Sequence, residues 1–373
     1  MSNGKPRIII SGGGTGGHIF PALSIAGALR EIVPEAEILF VGAEGRMEME
    51  RVPQAGYEIK GLPVAGLQRK LSLANFALPF KIVRSLSMAK KIIREFKPDV
   101  AVGVGGYASA PLLWSASGMR IPCLIQEQNS YAGLTNRILS KKVEKICVAY
   151  SGMEKFFPSE KIILTGNPIR KEIKPSTAAE REEGYDFYGL NQDKKTIFVV
   201  GGSLGSGTLN KAMKKWVAEK GANADYQVIW QNGKYYSSDI AEYMKERELP
   251  HVKHFDFIRR MDLAYAVADV VISRAGAGTI SELCELCVAG KTTIFVPSPN
   301  VTEDHQTHNA MALVEKEAAL MVRDDMAEEE LMDTAEKLLS DSEKIRKLEK
   351  NVLKLGRKGA AEAIATEVLS LIK

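Results

Sequence analysis

Short apolar runs alternate with longer amphipathic stretches through the first half of the chain: RIIISG, then FPALSIAGALREIV, then EILFVG, and further on DVAVGVGG, PCLIQE and KICVAY. Brief apolar runs separated by segments of helix length predict parallel strands joined by helices. The pattern begins again with TIFVVGGSLGSG, a helix from about Thr208, and the runs YQVIWQ, HVKHFDF, DVVISR, TTIFVP and AALMVR. A fresh strand, glycine turn and helix predict a second α/β unit. Between the two lies LTGNPIRKEIKPSTAAEREEGYDFYGLNQDKKT, rich in turn formers and charge, with Pro168 and Pro175 breaking any helix. The junction is expected near Gly166. This predicts an α/β protein of two Rossmann-like doubly wound domains, 1–165 and 166–354, with a C-terminal helix at about 355–373 packing back on the first. Ligands of such sheets bind at the carboxyl ends of the strands, so an active site is expected in a cleft between the two domains.

At 373 residues, 45% hydrophobic and 26% charged, the chain has ordinary globular composition and room for two cores. The N-terminus runs straight into a strand-like segment, without the features of a signal peptide, and no apolar run reaches the roughly 18 residues of a membrane span. A cytoplasmic protein is expected. Four cysteines are too few and too scattered for a disulfide framework. The CxxC of Cys284 and Cys287 suits redox or zinc chemistry. Without a second pair, and at helical spacing inside ISELCELCVAG, it equally suits two small apolar residues on one helix face. Charge is uneven: residues 1–165 carry 21 Lys+Arg against 13 Asp+Glu, a net of +8, and the remainder 29 against 33, a net of −4. The first half therefore calls for an anionic partner.

Candidate chemistry concentrates in the glycine turns. Gly12, Gly14 and Gly17 in SGGGTGGH satisfy GxGxxG after a strand and before a helix, which alone suggests a dinucleotide-binding oxidoreductase. His18 directly after the glycines, and the lack of a cleanly placed acid at the end of the second strand (Glu44 lies beyond Gly42), weigh against that reading. So do two further glycine turns, Gly201 to Gly207 and SRAGAGTISE, in the second half. Helix-start amides and the helix dipole bind a diphosphate without a metal. Glu282, about one turn into the helix of SRAGAGTISE, suits both ribose hydroxyls of a nucleotide or a solvated helix-start acid. Gln306 and Asn309, three apart in EDHQTHNA, suit sugar hydroxyls or an exposed polar helix start. His305 and His308 lack a third ligand, so no metal is assigned.

Taken in order, GGGTGGH, GGYAS, QEQN, GNPIR, GGSLG, SRAGAGTISE and DHQTHN resemble the MurG family over nearly the whole chain, from about Arg7 to the C-terminal helix. The resemblance implies a GT-B fold without cofactor or essential metal. It further implies inverting transfer of N-acetylglucosamine from UDP to the 4-hydroxyl of the N-acetylmuramoyl-pentapeptide of undecaprenyl-linked lipid I, giving lipid II and UDP in peptidoglycan synthesis. It places Thr15, Gly16, Gly17, His18, Tyr107, Glu127 and Asn129 on the acceptor side, with Asn129 also reaching the donor. Arg170, Ser203, Ile258, Arg274, Ala277, Gly278, Thr279, Glu282, Gln306 and Asn309 fall on the donor side. By that likeness Ser203 and the amides near Ala277 hold the diphosphate, Glu282 the ribose, Gln306 the sugar, and the backbone around Ile258 the uracil edge. The sequence departs from well-known members at Gln126, where many carry His, and at His305, where some carry Gln.

Transfer requires a base for the acceptor hydroxyl and a cradle for the charge growing on UDP. His18 is the expected base, with Glu127 or water as the alternative if the imidazole only positions the acceptor diphosphate. Between Arg69 and Lys97 eight basic residues and one acid are interleaved with Leu73, Phe76, Leu78, Phe80, Ile82 and Val83. That stripe suits an anionic membrane surface, or else an amphipathic helix packed on its own domain. With the lipid acceptor, the expected partners are anionic lipids on the cytoplasmic face of the cell membrane and cell-wall synthesis proteins, with no nucleic acid. Alternatives sharing the architecture are a UDP-N-acetylglucosamine epimerase and a diacylglycerol glycosyltransferase. An NAD-dependent oxidoreductase and a non-catalytic nucleotide-sugar sensor stand further off.

Overall fold

In a computed structural model of the chain, residues 5–64, 78–169, 176–202, 204–286 and 291–372 are described below. Arg170, Ser203 and Cys287, together with the part of the basic stripe from Arg69 to Ala77, lie outside these residues. The chain divides into two compact units, Met1–Arg170 with Arg357–Lys373, and Lys171–Gly356.

The first unit is built on strands β1 (Arg7–Ser11), β2 (Glu37–Ala43), β3 (Glu58–Leu62), β4 (Val100–Gly103), β5 (Cys123–Glu127), β6 (Lys145–Val148) and β7 (Ile162–Leu164). They form one parallel sheet in the order β3-β2-β1-β4-β5-β6-β7. Its central strands are continuous apolar runs because helices cover both faces. Ile8 and Ile10 point into one core with Ile25 and Leu29 of helix Gly16–Ile32, and Ile9 points into the other with Ile92, Leu112 and Leu113. Helix Ala360–Leu369 returns to this unit and buries Ile364, Ala365 and Val368 in the first of those cores.

The second unit repeats the plan with β8 (Thr196–Val200), β9 (Gln227–Gln231), β10 (Val252–Phe255), β11 (Val270–Ser273), β12 (Thr292–Phe295) and β13 (Leu320–Met321), parallel in the order β10-β9-β8-β11-β12-β13. The entering helix Ala178–Tyr188 starts with a capping box between Thr177 and Glu180 and ends on Gly189 in the left-handed conformation. Cys284 is buried on helix Ala277–Leu286 as a small apolar residue. Cys123 and Cys147 are buried in the first unit, and desolvation pushes both thiols up to about 12.

In each sheet the strand order reverses direction at one point, between β1 and β4 in the first unit and between β8 and β11 in the second. Outside the carboxyl ends at such a switch point is where open α/β sheets bind ligands. The four glycine-bearing segments GGGTGGH, GVGGY, GGSLGSG and SRAGAG follow β1, β4, β8 and β11. Topology therefore gathers them in pairs, one pair per unit.

Candidate active site

At the first switch point the turn after β4 packs directly on the turn after β1. Gly106 has φ +86, and a Cβ there would strike the Gly13 carbonyl, so only glycine lets the two turns meet. The ring of His18, two residues into helix Gly16–Ile32, lies against Gly105. His18 Nδ1 is 3.1 Å from the Gly13 carbonyl and 3.4 Å from Thr15 Oγ1. A carbonyl oxygen only accepts, so the hydrogen bond to Gly13 requires the proton on Nδ1.

An acid beneath the turn was not legible as part of the site. Glu48 is fully buried, and its two oxygens accept from Gly14 N (2.9 Å) and Ala43 N (3.0 Å). Cβ atoms at Gly13 or Gly42 would collide with it. A carboxylate is thus installed behind the first turn and occupies the amide of Gly14, which a dinucleotide pyrophosphate would otherwise meet. Its signal in the sequence is slight, an acid between Met47 and Met49 just beyond Glu44.

Glu127, at the end of β5, is 1% exposed. One oxygen accepts from the amide N (3.0 Å) and side-chain Nδ2 (3.1 Å) of Asn129, and the other from Gly133 N (3.1 Å) and Asn136 Nδ2 (2.9 Å). Gln126 is buried and donates to Asn167 Oδ1 (2.8 Å), while Gln128 donates to the Gln126 side-chain oxygen and to the Val104 carbonyl (2.7 Å). The QEQN segment is therefore a closed amide network tying β5 to the turn after β4. Thr15, Gly17 and Tyr107 are exposed and Gly16, His18 and Asn129 half-buried on the same side of the sheet.

In the second unit the turn after β8 feeds helix Gly207–Glu219, capped by Ser206, whose side chain accepts from Leu209 N (3.3 Å). Gly205 has φ +94, and a Cβ there would collide with the Asn232 carbonyl. Gly205, Ser206, Thr208, Arg274, Ser298 and Gln306 all line one cavity of about 900 Å³. Arg274, just past β11, donates to the Val296 carbonyl (3.0 Å) and pairs with Asp324, which also accepts from Thr208 Oγ1 (3.1 Å). No motif in the sequence marks Asp324. Gln306 accepts from Ser298 N (2.9 Å) through its side-chain oxygen.

Among the described donor candidates of this unit, Ile258, Ala277, Gly278, Thr279, Glu282 and Asn309 do not line this cavity. Ala277, Gly278 and Thr279 open helix Ala277–Leu286, half-buried like Glu282, and Asn309 is 1% exposed. Ile258 is buried in a turn clamped by Arg260, which bonds Asp262 (2.7 Å) and Glu183 (3.0 Å), while Tyr188 donates to the Arg260 carbonyl (2.9 Å). That guanidinium holds the Asp262 carboxyl below the usual carboxylate range. His305 Nε2 lies 3.2 Å from a Glu303 carboxylate oxygen, and among the described residues no three His, Cys, Asp or Glu side chains gather as metal ligands do.

Two doubly wound parallel sheets, each with paired glycine turns at its switch point, define a two-domain protein of GT-B fold. Consistently, the glycosyltransferase family 28 N-terminal domain matches residues 8–148 and the family 28 C-terminal domain residues 196–366. The chain is 54% identical over 368 residues to the UDP-N-acetylglucosamine–N-acetylmuramyl-(pentapeptide) pyrophosphoryl-undecaprenol N-acetylglucosamine transferase of Parabacteroides distasonis, covering 99% of each. It is 56% identical to the transferase of the same name from Phocaeicola vulgatus, covering 98% of this chain and 96% of that one. The crystal structure of Acinetobacter baumannii MurG superimposes with a TM-score of 0.78 at 25% identity, covering 98% of this chain and 99% of that one. The chain belongs to the MurG family. A UDP-N-acetylglucosamine 2-epimerase from Neisseria meningitidis, at 12% identity and a TM-score of 0.64 over 98% of this chain and 100% of that one, shares the fold alone.

Proposed function

We infer that this chain transfers N-acetylglucosamine from UDP-N-acetylglucosamine to the 4-hydroxyl of the muramoyl-pentapeptide of a pyrophosphoryl-undecaprenol acceptor, with inversion, giving lipid II and UDP. The full-length identity of 54–56% to transferases of that name carries the reading.

The paired turns of the first unit suit the acceptor diphosphate. With the Gly14 amide taken by Glu48, the helix-start amides from Thr15 onward face the anion. His18 is the base: its Nδ1 proton is directed at the Gly13 carbonyl, so Nε2 takes the proton of the attacking hydroxyl as the bond from the anomeric carbon to UDP breaks. Glu127 is a positioning residue, because four donors already fill both its oxygens. In the second unit the start of helix Gly207–Glu219 and Arg274 face the charge that grows on departing UDP, and the family resemblance adds Ser203 to them. By the family resemblance the amides of Ala277, Gly278 and Thr279, and Arg170, also bind the donor. Gln306 and Asn309 hold the sugar, Glu282 the ribose, and the backbone at Ile258 the uracil edge.

Helix Leu78–Phe96 fits a peripheral contact with anionic lipids on the cytoplasmic face, since Phe80 (80%), Val83 (66%) and Ile82 (51%) are exposed beside Lys81 and Arg84. Among the described residues no helix is long and apolar enough to cross a membrane.

The test is incubation with UDP-N-acetylglucosamine and a short-chain lipid I analogue without added metal, following UDP and the disaccharide product by mass spectrometry. Acceptor-dependent product is expected, and His18→Ala lowers kcat by roughly 10²–10⁴-fold. Donor binding without transfer overturns the assignment, and near-normal turnover of His18→Ala removes the base.

A further inference from the structure

One buried polar side chain at the carboxyl end of the second sheet has no use in the roles above. Gln231 closes β9 and is 3% exposed, yet its side-chain oxygen, enclosed by the fold, accepts a hydrogen bond from no described residue. Buried acceptors are almost always satisfied, because an empty one gives up its hydration for nothing. Gln227, at the other end of the same strand, shows the ordinary case. Its side chain donates to the Asn191 carbonyl (2.8 Å) and to Thr196 Oγ1 (3.0 Å), and it accepts from Asn191 N (2.9 Å). An empty acceptor at the ligand-binding edge of an open α/β sheet therefore calls for a hydrogen that arrives with the ligand.

Register fixes which part of the donor supplies it. Gln231 pairs with Phe255 of β10 on one side and with Val200 of β8 on the other, and side chains in register share a face. That face is covered by helix Met261–Val267, since Phe198, two residues before Val200, packs edge-on against Tyr265 at 5.5 Å. The Phe255 ring meets Tyr188 at 5.6 Å, and Tyr188 donates to the Arg260 carbonyl (2.9 Å), which fastens the turn of Ile258 beside this corner. Neighbouring strands lie about 4.8 Å apart, so Gln231 stands one strand from β10, which leads to Ile258, and three strands, about 14 Å, from β12, which leads to Gln306. The corner belongs to the base of the donor rather than to its sugar.

We propose that Gln231 is a specificity-determining residue for the donor: its side-chain oxygen accepts the N3 hydrogen of uracil, while the backbone at Ile258 keeps the O4 side of that edge. The proposal rests on the donor reading above. Uracil N3 carries a hydrogen, whereas N3 of cytosine carries a lone pair that an enclosed oxygen repels, so this contact separates UDP from CDP.

The full-length enzyme is titrated calorimetrically with UDP and with CDP, and the ratio of the two Kd values is the readout. Gln231→Met keeps the length of the side chain and removes the acceptor. UDP is then expected to bind about tenfold more weakly, the worth of one hydrogen bond, with CDP within about twofold of its former affinity, so the preference for UDP shrinks. Gln231→Asn withdraws the oxygen by one methylene while keeping a polar group; it shrinks the preference in the same direction and carries the test if the methionine variant does not fold. A glutamine that merely braced the sheet edge would weaken both nucleotides alike. A ratio that stays the same in a folded variant, whether both nucleotides bind as before or both bind more weakly, overturns the role of Gln231. Failure of the unsubstituted enzyme to bind UDP overturns the donor reading instead, so the two failures are told apart.

Discussion

Glu48 offers the sharpest test of how the acceptor turn is held. Its carboxylate receives the amides of Gly14 and Ala43 in a fully buried position, 34 residues from the first and 5 from the second. Hydrogen bonds to a charged group are worth about 1.5–3 kcal/mol each, and a buried donor left without an acceptor costs about 1–3 kcal/mol. Glu48→Ala strips both amides and opens a hole behind Gly13 and Gly42, set against relief from burying a charge. A net loss of roughly 3 kcal/mol is expected, which in a unit of this size lowers its melting temperature by about 6–12 °C. Glu48→Gln keeps the volume but turns an NH2 group toward one of the two amides, so about half that loss is expected. Because the Gly14 amide is then free to move, the acceptor KM rises in Glu48→Gln while the donor KM, set in the other unit, stays put. Differential scanning calorimetry and two-substrate kinetics read both effects. An unchanged melting temperature, or equal changes in the two KM values, refutes the role of Glu48 as the support of the turn.

Three further outcomes are expected. Asp324→Asn removes the charged partner of Arg274 and raises the donor KM by about tenfold with little change in the acceptor KM; a shift in the acceptor KM alone would contradict the pairing. Cys123 and Cys147, with thiols pushed up to about 12 by burial, stay unmodified by iodoacetamide at pH 8 until the protein is unfolded; peptide mapping that finds rapid native labelling would count against it. Burial holds the His254 imidazole below its usual 6.5, so the unfolded chain takes up that proton first. The stability it contributes is complete above about pH 6.5 and is lost as pH falls toward the folded value. His254→Gln therefore flattens the fall in urea stability between pH 7 and 5, and an unchanged slope would dismiss it.

The sequence by itself determined the two α/β units and the glycine turns at their strand ends. That information is local: a short uninterrupted apolar run such as RIIIS or TIFVV, ended by glycine and followed by a helical pattern, fits a strand covered on both faces with a tight turn at its end. The motif order likewise announced the family. Tertiary structure alone decided what supports the site, since those partners are far apart in the chain and meet only through packing. Glu48 lies 34 residues from Gly14, Asp324 lies 50 from Arg274, and Asn167 lies 41 from Gln126. Glu127 reads as a reactive acid in QEQN, yet Asn136, nine residues on, and Gly133 close over its carboxylate once β5 and the following helix are in place. The strand reversal that pairs the four turns also has no periodicity to betray it. Each depends on which surfaces of distant elements come to face one another.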